Sequence, residues 1–290
     1  MNLPMNTPYH DWVEELERWW QRGAQLPCGG FAPCPRPVLG PEAPCALYFA
    51  PHPDDECIIG ALALRLFREA GVRLVNVAVT LGRKPERRQP RLAELRQACA
   101  FLGYELELSA PNGFDEVHLR TRREDPVRWN AMVDRIAELL VGYRPVAIFF
   151  PHERDWNSTH IGTHYLVVDA LQRVGSDFGC RVFETEFWGA MEDPNLMVEV
   201  APALLADLIA ATTFHLGEVQ RNPYHLTLPA WMMDNVRRGA ELVGGQGAAA
   251  PPFQFAQLFR FRLWRGGRWE EIPGAEKLLP ASVSAAKLLA

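Results

Sequence analysis

The sequence predicts an α/β fold: a mostly parallel sheet with helices on both faces, followed by a less regular C-terminal region. Three observations carry this expectation. From residue 45 to residue 188, short apolar runs alternate with stretches of helical spacing, the pattern of strands joined by crossover helices. Two helical stretches stop at glycine, Gly71 and Gly103, where a residue without Cβ makes a left-handed cap easily. Two apolar runs, residues 46–50 and 145–150, lead straight into turns rich in histidine and carboxylate. Ligands of α/β sheets sit outside the carboxyl ends of strands.

The elements follow in order. Residues 10–22 predict an amphipathic helix with Trp12, Leu16, Trp19 and Trp20 close to one face. Residues 26–44, rich in Pro, Gly and Cys, predict a surface connector. The run 46–50 is a buried strand, 58–67 a helix and 72–80 a second strand. A charged loop over 83–88 precedes a helix over 91–102, with Leu92, Leu95, Cys99 and Leu102 inward. Residues 104–108 give a short strand, 129–141 a helix, 145–150 a buried strand, and 181–188 an alternating strand. A helix starts near His160, capped by Ser158 or Thr159, and runs on through 165–174. Beyond Pro194, residues 202–213 and 229–243 read as helices and 253–264 as a late strand or edge element. The last fifteen residues read as a weak helix or a loose tail. The domain division expected is 1–44 (helix and connector), 45–265 (the α/β domain) and 266–290 (tail).

Composition narrows the function. The chain has 290 residues, 48% of them apolar, and a net charge of −5, so a large core forms and no basic stripe argues for nucleic acid. No apolar stretch is long enough to span a bilayer. Residues 1–9 lack the charged start and apolar core of a signal peptide. The six cysteines form no CxxC and read as buried free thiols of a cytoplasmic protein. Gly244-Gly245-Gln246-Gly247 does not follow a strand and open a helix, so it is a loop and not a phosphate cradle.

The chemistry concentrates in two turns. In Pro51-His52-Pro53-Asp54-Asp55-Glu56, His52 and Asp55 stand three apart across a turn stiffened by Pro53. One imidazole and one carboxylate are two thirds of a common catalytic zinc site, with a position left open for water. Asp54, between them, is placed to act as a general base. The alternative is that Asp54, Asp55 and Glu56 merely start a helix. The second turn, after residues 145–150, runs from Pro151 through His152, Asp155, Asn157 and His160 to His164. If the two strands are neighbours, His160 completes a His/Asp/His triad. Taken alone, His160 is a polar helix start and His164 a satisfied half-buried histidine. His152 and Asp155 are either groups that orient a ligand imidazole or plain loop residues.

These residues resemble the PIG-L or LmbE-like zinc-dependent N-acetylglucosaminyl deacetylases. The opening signature (A/P)HPDDE stands intact as Pro51 to Glu56, and Asp155-Trp156-Asn157-Ser158-Thr159-His160 matches the second, Asp-x-His-Pro-Asp-His. Thr80-Leu81-Gly82, Arg91-Leu92-Ala93-Glu94 and Leu102-Gly103 follow the family's intermediate pattern in order, and a weaker echo runs through His215 to Gln220 and Arg238-Gly239-Ala240-Glu241. The resemblance covers about residues 45–260. It implies a Rossmann-like sheet and one divalent ion, Zn2+, on His52, Asp55 and His160. It also implies Asp54 as general base, activating a metal-held water, and Arg91 as a substrate contact. The substrate implied is a small acetylated amino sugar or conjugate. Asn157 stands where the family has a histidine. It can donate a hydrogen bond to an oxyanion but cannot give up a proton, so Asp54, His164, His215 or His225 must supply it.

Other classes fit less well. A nicotinamide dehydrogenase needs GxGxxG in the first turn, and a two-metal phosphatase or nuclease needs more bridging carboxylates. Arg83, Lys84, Arg87 and Arg88 read as a solvated loop rather than a phosphate pocket. Asn157 favours the non-enzyme alternative, a metal-binding member of the same fold, or one cleaving another N-acyl amide. A homo-oligomer is allowed, and nothing in the sequence sets its size.

Overall fold

The computed structural model describes residues 7–272, 274 and 277–290. Residues 1–6, used above against a signal peptide, lie outside them, as do positions 273, 275 and 276 of the expected tail. The first half of the chain runs α1 (Pro8–Gly23), β1 (Cys45–Ala50), α2 (Asp55–Ile58), α3 (Ala61–Ala70), β2 (Arg73–Ala78), α4 (Pro85–Leu102) and β3 (Glu105–Leu108). It continues through α5 (Leu119–Glu124), α6 (Pro126–Tyr143), β4 (Ala147–Pro151), α7 (Ser158–Arg173) and β5 (Cys180–Thr185). The last part comprises β6 (Leu196–Glu199), α8 (Pro202–Thr212), α9 (Leu216–Val219), α10 (Tyr224–Gly244), β7 (Ala256–Arg265), β8 (Arg268–Glu270) and β9 (Leu278–Leu279). A 3-10 helix, Ala285–Leu289, ends it.

The strands form one sheet of order β3-β2-β1-β4-β5-β7-β6-β9, with β8 hairpinned onto β7. From β3 to β5 in that order each adjacent pair is parallel, whereas β7 runs antiparallel to both β5 and β6. The chain winds outward from β1 to β3 and then returns to place β4 on the other side of β1. That reversal opens a crevice at the carboxyl ends of β1 and β4. Every residue of β1 is buried. Ala46, Tyr48 and Ala50 join the core on one face, Leu47 and Phe49 the core on the other. Helices cover both faces, which is why the strand reads as an unbroken apolar run instead of alternating.

Several boundaries differ from the sequence reading. The supposed charged loop is the first turn of α4, since Pro85 sits at the first helical position, where its missing N–H costs nothing. Asp125 caps α6 through the Arg128 amide, which moves that helix start ahead of Trp129. The helix expected from Pro229 starts at Tyr224, with Pro229 inside it. The late strand β7 is no edge element, because β5 flanks it on one side and β6 on the other. The end of the chain is not loose: β9 extends the sheet beside β6, and Ala285 and Leu288 are buried. The amphipathic helix forms as α1, but none of its residues is buried. No described helix is long and apolar enough to cross a membrane.

Arg65 explains the C-terminal docking. Its buried guanidinium bonds Glu69 and donates to the carbonyls of Glu199, Leu279, Pro280 and Val283. Replacing Arg65 with leucine strands these acceptors. We expect Arg65→Leu to lower unfolding stability by about 3 kcal/mol, read from urea titration, with an unchanged midpoint showing that the segment docks without it.

Candidate metal centre

The turn after β1 is held from three sides. The Thr80 hydroxyl and amide both donate to the Pro51 carbonyl, at 2.7 and 3.2 Å. Arg91 donates to the Pro53 carbonyl at 2.9 Å. The His52 amide donates to Asp55 Oδ2 at 2.9 Å. Between these clamps Asp54 adopts φ 117° and ψ −28°, a left-handed conformation that costs a residue with a Cβ. Gly82, at φ 90°, lies against Arg91, whose Nη1 would stand 2.3 Å from an added Cβ.

The turn after β4 is built from capping bonds. Asp155 Oδ1 accepts from the Asn157 amide at 2.8 Å, and Asn157 Oδ1 accepts from the Thr159 amide at 2.9 Å. Asn157, and not Ser158 or Thr159, is therefore the cap of α7. The cap sets the first turn so that the His160 ring, fully buried, points back to β1. His160 Nδ1 lies 3.5 Å from Asp155 Oδ2, the geometry of a carboxylate that orients a ligand imidazole. His152 is turned away, with its Nε2 donating to the Gly189 carbonyl at 2.9 Å.

The two turns meet. His52 Nδ1 is 3.3 Å from His160 Nε2 and 3.5 Å from Asp55 Oδ2, and His160 Nε2 is 3.3 Å from that same oxygen. Ligand atoms ~2.0–2.2 Å from a tetrahedral cation stand about 3.4 Å from each other. The triad fits a divalent ion without rearrangement, and its imidazole and carboxylate donors suit zinc. Burial alone would lower the His160 pKa, yet the Asp55 and Asp155 carboxylates push it up to about 10. A bound cation would answer the same two carboxylates. Asp55 is held well below the usual carboxylate range by His160 and His52, against its burial. Asp54 goes the other way: burial and the charge of Asp55 raise it well above that range, with Arg91 and His215 opposing.

His52, Asp54 and Asp55 open into a cavity of about 250 Å³. Arg83, Lys84, Arg87, Arg91 and Arg221 line it, with Asn157, Trp188, Glu218 and Tyr224. The buried Glu218 carboxylate sits against Arg87, Arg91 and Arg221. Burial works against that charge, but Arg91 and Arg221 hold its pKa down. Sequence reasoning took Arg83, Lys84 and Arg87 for solvated loop residues, and the structure brings them to the site. It missed Trp188, Arg221 and Tyr224, since no local signal links them to the two turns, and it touched Glu218 only through the weak family echo over residues 215–220.

Three histidines expected as alternatives are elsewhere. His164 is buried behind β4, its Nδ1 donating to the Pro151 carbonyl at 3.0 Å and standing 3.4 Å from Glu184. Glu153, His164 and Glu184 cluster closely enough to suggest a second ion, but Arg260 already pairs with both carboxylates. His215 is fully buried against Glu56. His225 lies in a separate groove with Trp19, Trp20 and Leu226.

Comparison with known proteins agrees with this geometry. Residues 47–171 match the family model described as PIG-L, GlcNAc-PI de-N-acetylase. No curated protein matches significantly. Among solved structures, a conserved protein from Thermus thermophilus is similar at TM-score 0.57 and 18% identity, covering 80% of this chain and 98% of its own. The N,N'-diacetylchitobiose deacetylase from Pyrococcus horikoshii is similar at 0.55 and 15%, covering 92% and 96%. The 4-carboxy-2-hydroxymuconate hydratase from Pseudomonas putida is similar at 0.52 and 16%, covering 75% and 95%. Likeness at this identity establishes the shared fold.

Two metal measurements test the centre. His160→Ala should lose most bound zinc, and retention of a full equivalent would give the third position to another residue. Asp155→Asn should weaken zinc binding by ~10–100-fold in competition with a chelator; unchanged affinity would reduce Asp155 to a loop residue.

Proposed function

We propose that this chain, whose residues 47–171 carry a PIG-L-type domain, is a zinc-dependent N-deacetylase of acetylated amino sugars with Asp54 as its general base. The observation that carries the reading is Asp54 itself: a buried carboxylate next to a His/Asp/His triad, facing a cavity large enough for a sugar ring. The description of the matching family and the deacetylase among the structural neighbours support the reaction class.

The divalent ion, when bound, supplies Lewis acidity and lowers the pKa of water. The chain's own residues do the rest. Asp54 takes a proton from the attacking water, a task that suits a carboxylate whose pKa is raised by burial and by the charge of Asp55. Asn157 has spent its side-chain oxygen on the α7 cap, so what it offers the cavity is its amide N–H, a donor for the developing oxyanion. The cavity wall holds one histidine, His52 of the triad. The proton for the departing amine therefore comes back from Asp54. Trp188 and Tyr224 give the sugar apolar faces to lie on. Arg83 and Lys84, exposed at the rim without a bonded partner among the described residues, favour a conjugate carrying negative charge.

The decisive assay is release of free amine by zinc-loaded protein from neutral and anionic N-acetylglucosamine conjugates. Release, with KM for the anionic substrates rising with salt, supports the proposal; full zinc occupancy with no amine from any N-acyl substrate makes the chain a binding member of its fold. Asp54→Asn should retain zinc and lower kcat by ~10²–10⁴-fold, and near-normal turnover would remove Asp54 from the base role.

A further inference from the structure

Behind Asp54 lies a buried pair that the proposed reaction does not use. Glu56 Oε1 is 2.7 Å from His215 Nε2, and both side chains are fully buried. The two residues are 159 positions apart and come from different elements: Glu56 from α2, His215 from the residue that precedes α9. Glu56 Oε2 accepts the Asp54 amide at 2.9 Å, and the Cys57 thiol donates to Oε1 at 3.1 Å. The amide so captured belongs to the residue held at φ 117°. His215 also leads into the short helix that carries Glu218, and its carbonyl accepts from the Glu218 amide at 2.9 Å. Glu218 in turn sits against Arg87, Arg91 and Arg221 of the cavity wall.

We infer that Glu56 and His215 form one positioning unit that fixes the left-handed backbone of Asp54 and so aims its carboxylate into the cavity. The argument is geometric. A residue with a Cβ stays in this conformation only when its surroundings over-determine it. Here the Glu56 carboxylate holds the Asp54 N–H, and the His215 ring holds the carboxylate. An unpaired Glu56 side chain at this depth would itself be costly, and His215 is the partner that holds it there. The pair thereby ties the aim of the base to the placement of the cationic wall. Neither side chain touches the cavity, and neither exchanges a proton with substrate. This inference rests on Asp54 being the base.

The test compares His215→Gln, which keeps a side-chain N–H for Glu56, with His215→Leu, which is close in size and has none. For His215→Leu we expect full zinc content, KM near that of the parent and kcat lower by ~10–100-fold, the usual cost of losing an orienting partner. Amide hydrogen exchange in the segment around Asp54 should be faster in the same variant. His215→Gln should recover most of the lost kcat and of the exchange protection. The Glu56→Gln/His215→Leu double variant should lose no more than the worse single variant, because the two act as a unit. Equal losses in the Gln and Leu variants, additive losses in the double variant, or losses shared among zinc content, KM and kcat would overturn the inference. If His215→Leu fails to fold, His215→Gln and Glu56→Gln decide: the first must stay near the parent in kcat while the second falls at constant KM. A parent protein that releases no amine defeats the functional reading instead, and the exchange comparison still judges the pair.

Discussion

Two imidazole nitrogens and a carboxylate oxygen stand within 3.5 Å of one another in this protein, a crowding that calls for a shared hydrogen or a cation among them. Lone pairs at such separations repel unless a proton or a cation lies between. The fold holds them there regardless. β1 and β4 are adjacent and parallel, registered Tyr48 to Phe149, so the turns that follow them end at one place. Thr80 and Arg91 hold the first turn by its carbonyls, and Asp155 and Asn157 hold the second by its amides. The centre is thus held in place by contacts to the backbone of both turns.

Asp54, Asp55 and Glu56 are consecutive and all buried, a costly arrangement unless each charge is answered. Two are answered within the protein. His52 and His160 face Asp55, and His215 faces Glu56. Asp54 has no bonded side-chain partner among the described residues, and Arg91 acts on it through charge alone. In the proposed reaction these three neighbouring carboxylates take different parts, Asp55 as ligand, Glu56 as anchor and Asp54 as base, according to their surroundings. Environments that push like groups apart in pKa are how acid and base roles are assigned in active sites.

What could be read from the sequence was what depends on nearby residues. A strand, a stiff turn and a helix start within twelve positions announce the first half of the triad, and the parallel alternation makes the second half its neighbour. Glycine stops at Gly71 and Gly103 were legible because φ of 63° and 90° there suits a residue with no Cβ. The cap of α7 was misplaced by one residue because Asn157, Ser158 and Thr159 are all competent caps and only the Asp155 contact to the Asn157 amide selects among them. The cavity wall was illegible for a different reason. Glu218, Arg221 and Tyr224 reach the site because α9 and α10 pack over α4 and α2, a long-range arrangement that the weak echo over residues 215–220 does not reveal. The same holds for His164, His215 and His225, whose ring chemistry is identical and whose fates differ only by burial and partner.

Since a hydratase and a deacetylase share this fold, the site must decide between reactions. The polarity of Asn157 is informative here. Its oxygen is committed to the α7 cap, so the side chain can donate a hydrogen bond to a developing negative charge but can neither accept nor release a proton. In the proposed reaction both proton transfers then fall to Asp54. A group with two such duties must keep the first proton until the C–N bond breaks, which an ordinary carboxylate of pKa near 4 would do poorly at neutral pH. Burial and the neighbouring Asp55 charge raise Asp54 in the required direction. In the proposed reaction Asn157 at one strand end and Asp54 at the other are thus complementary, since the turn that offers no proton donor faces a carboxylate whose raised pKa suits it to carry the proton.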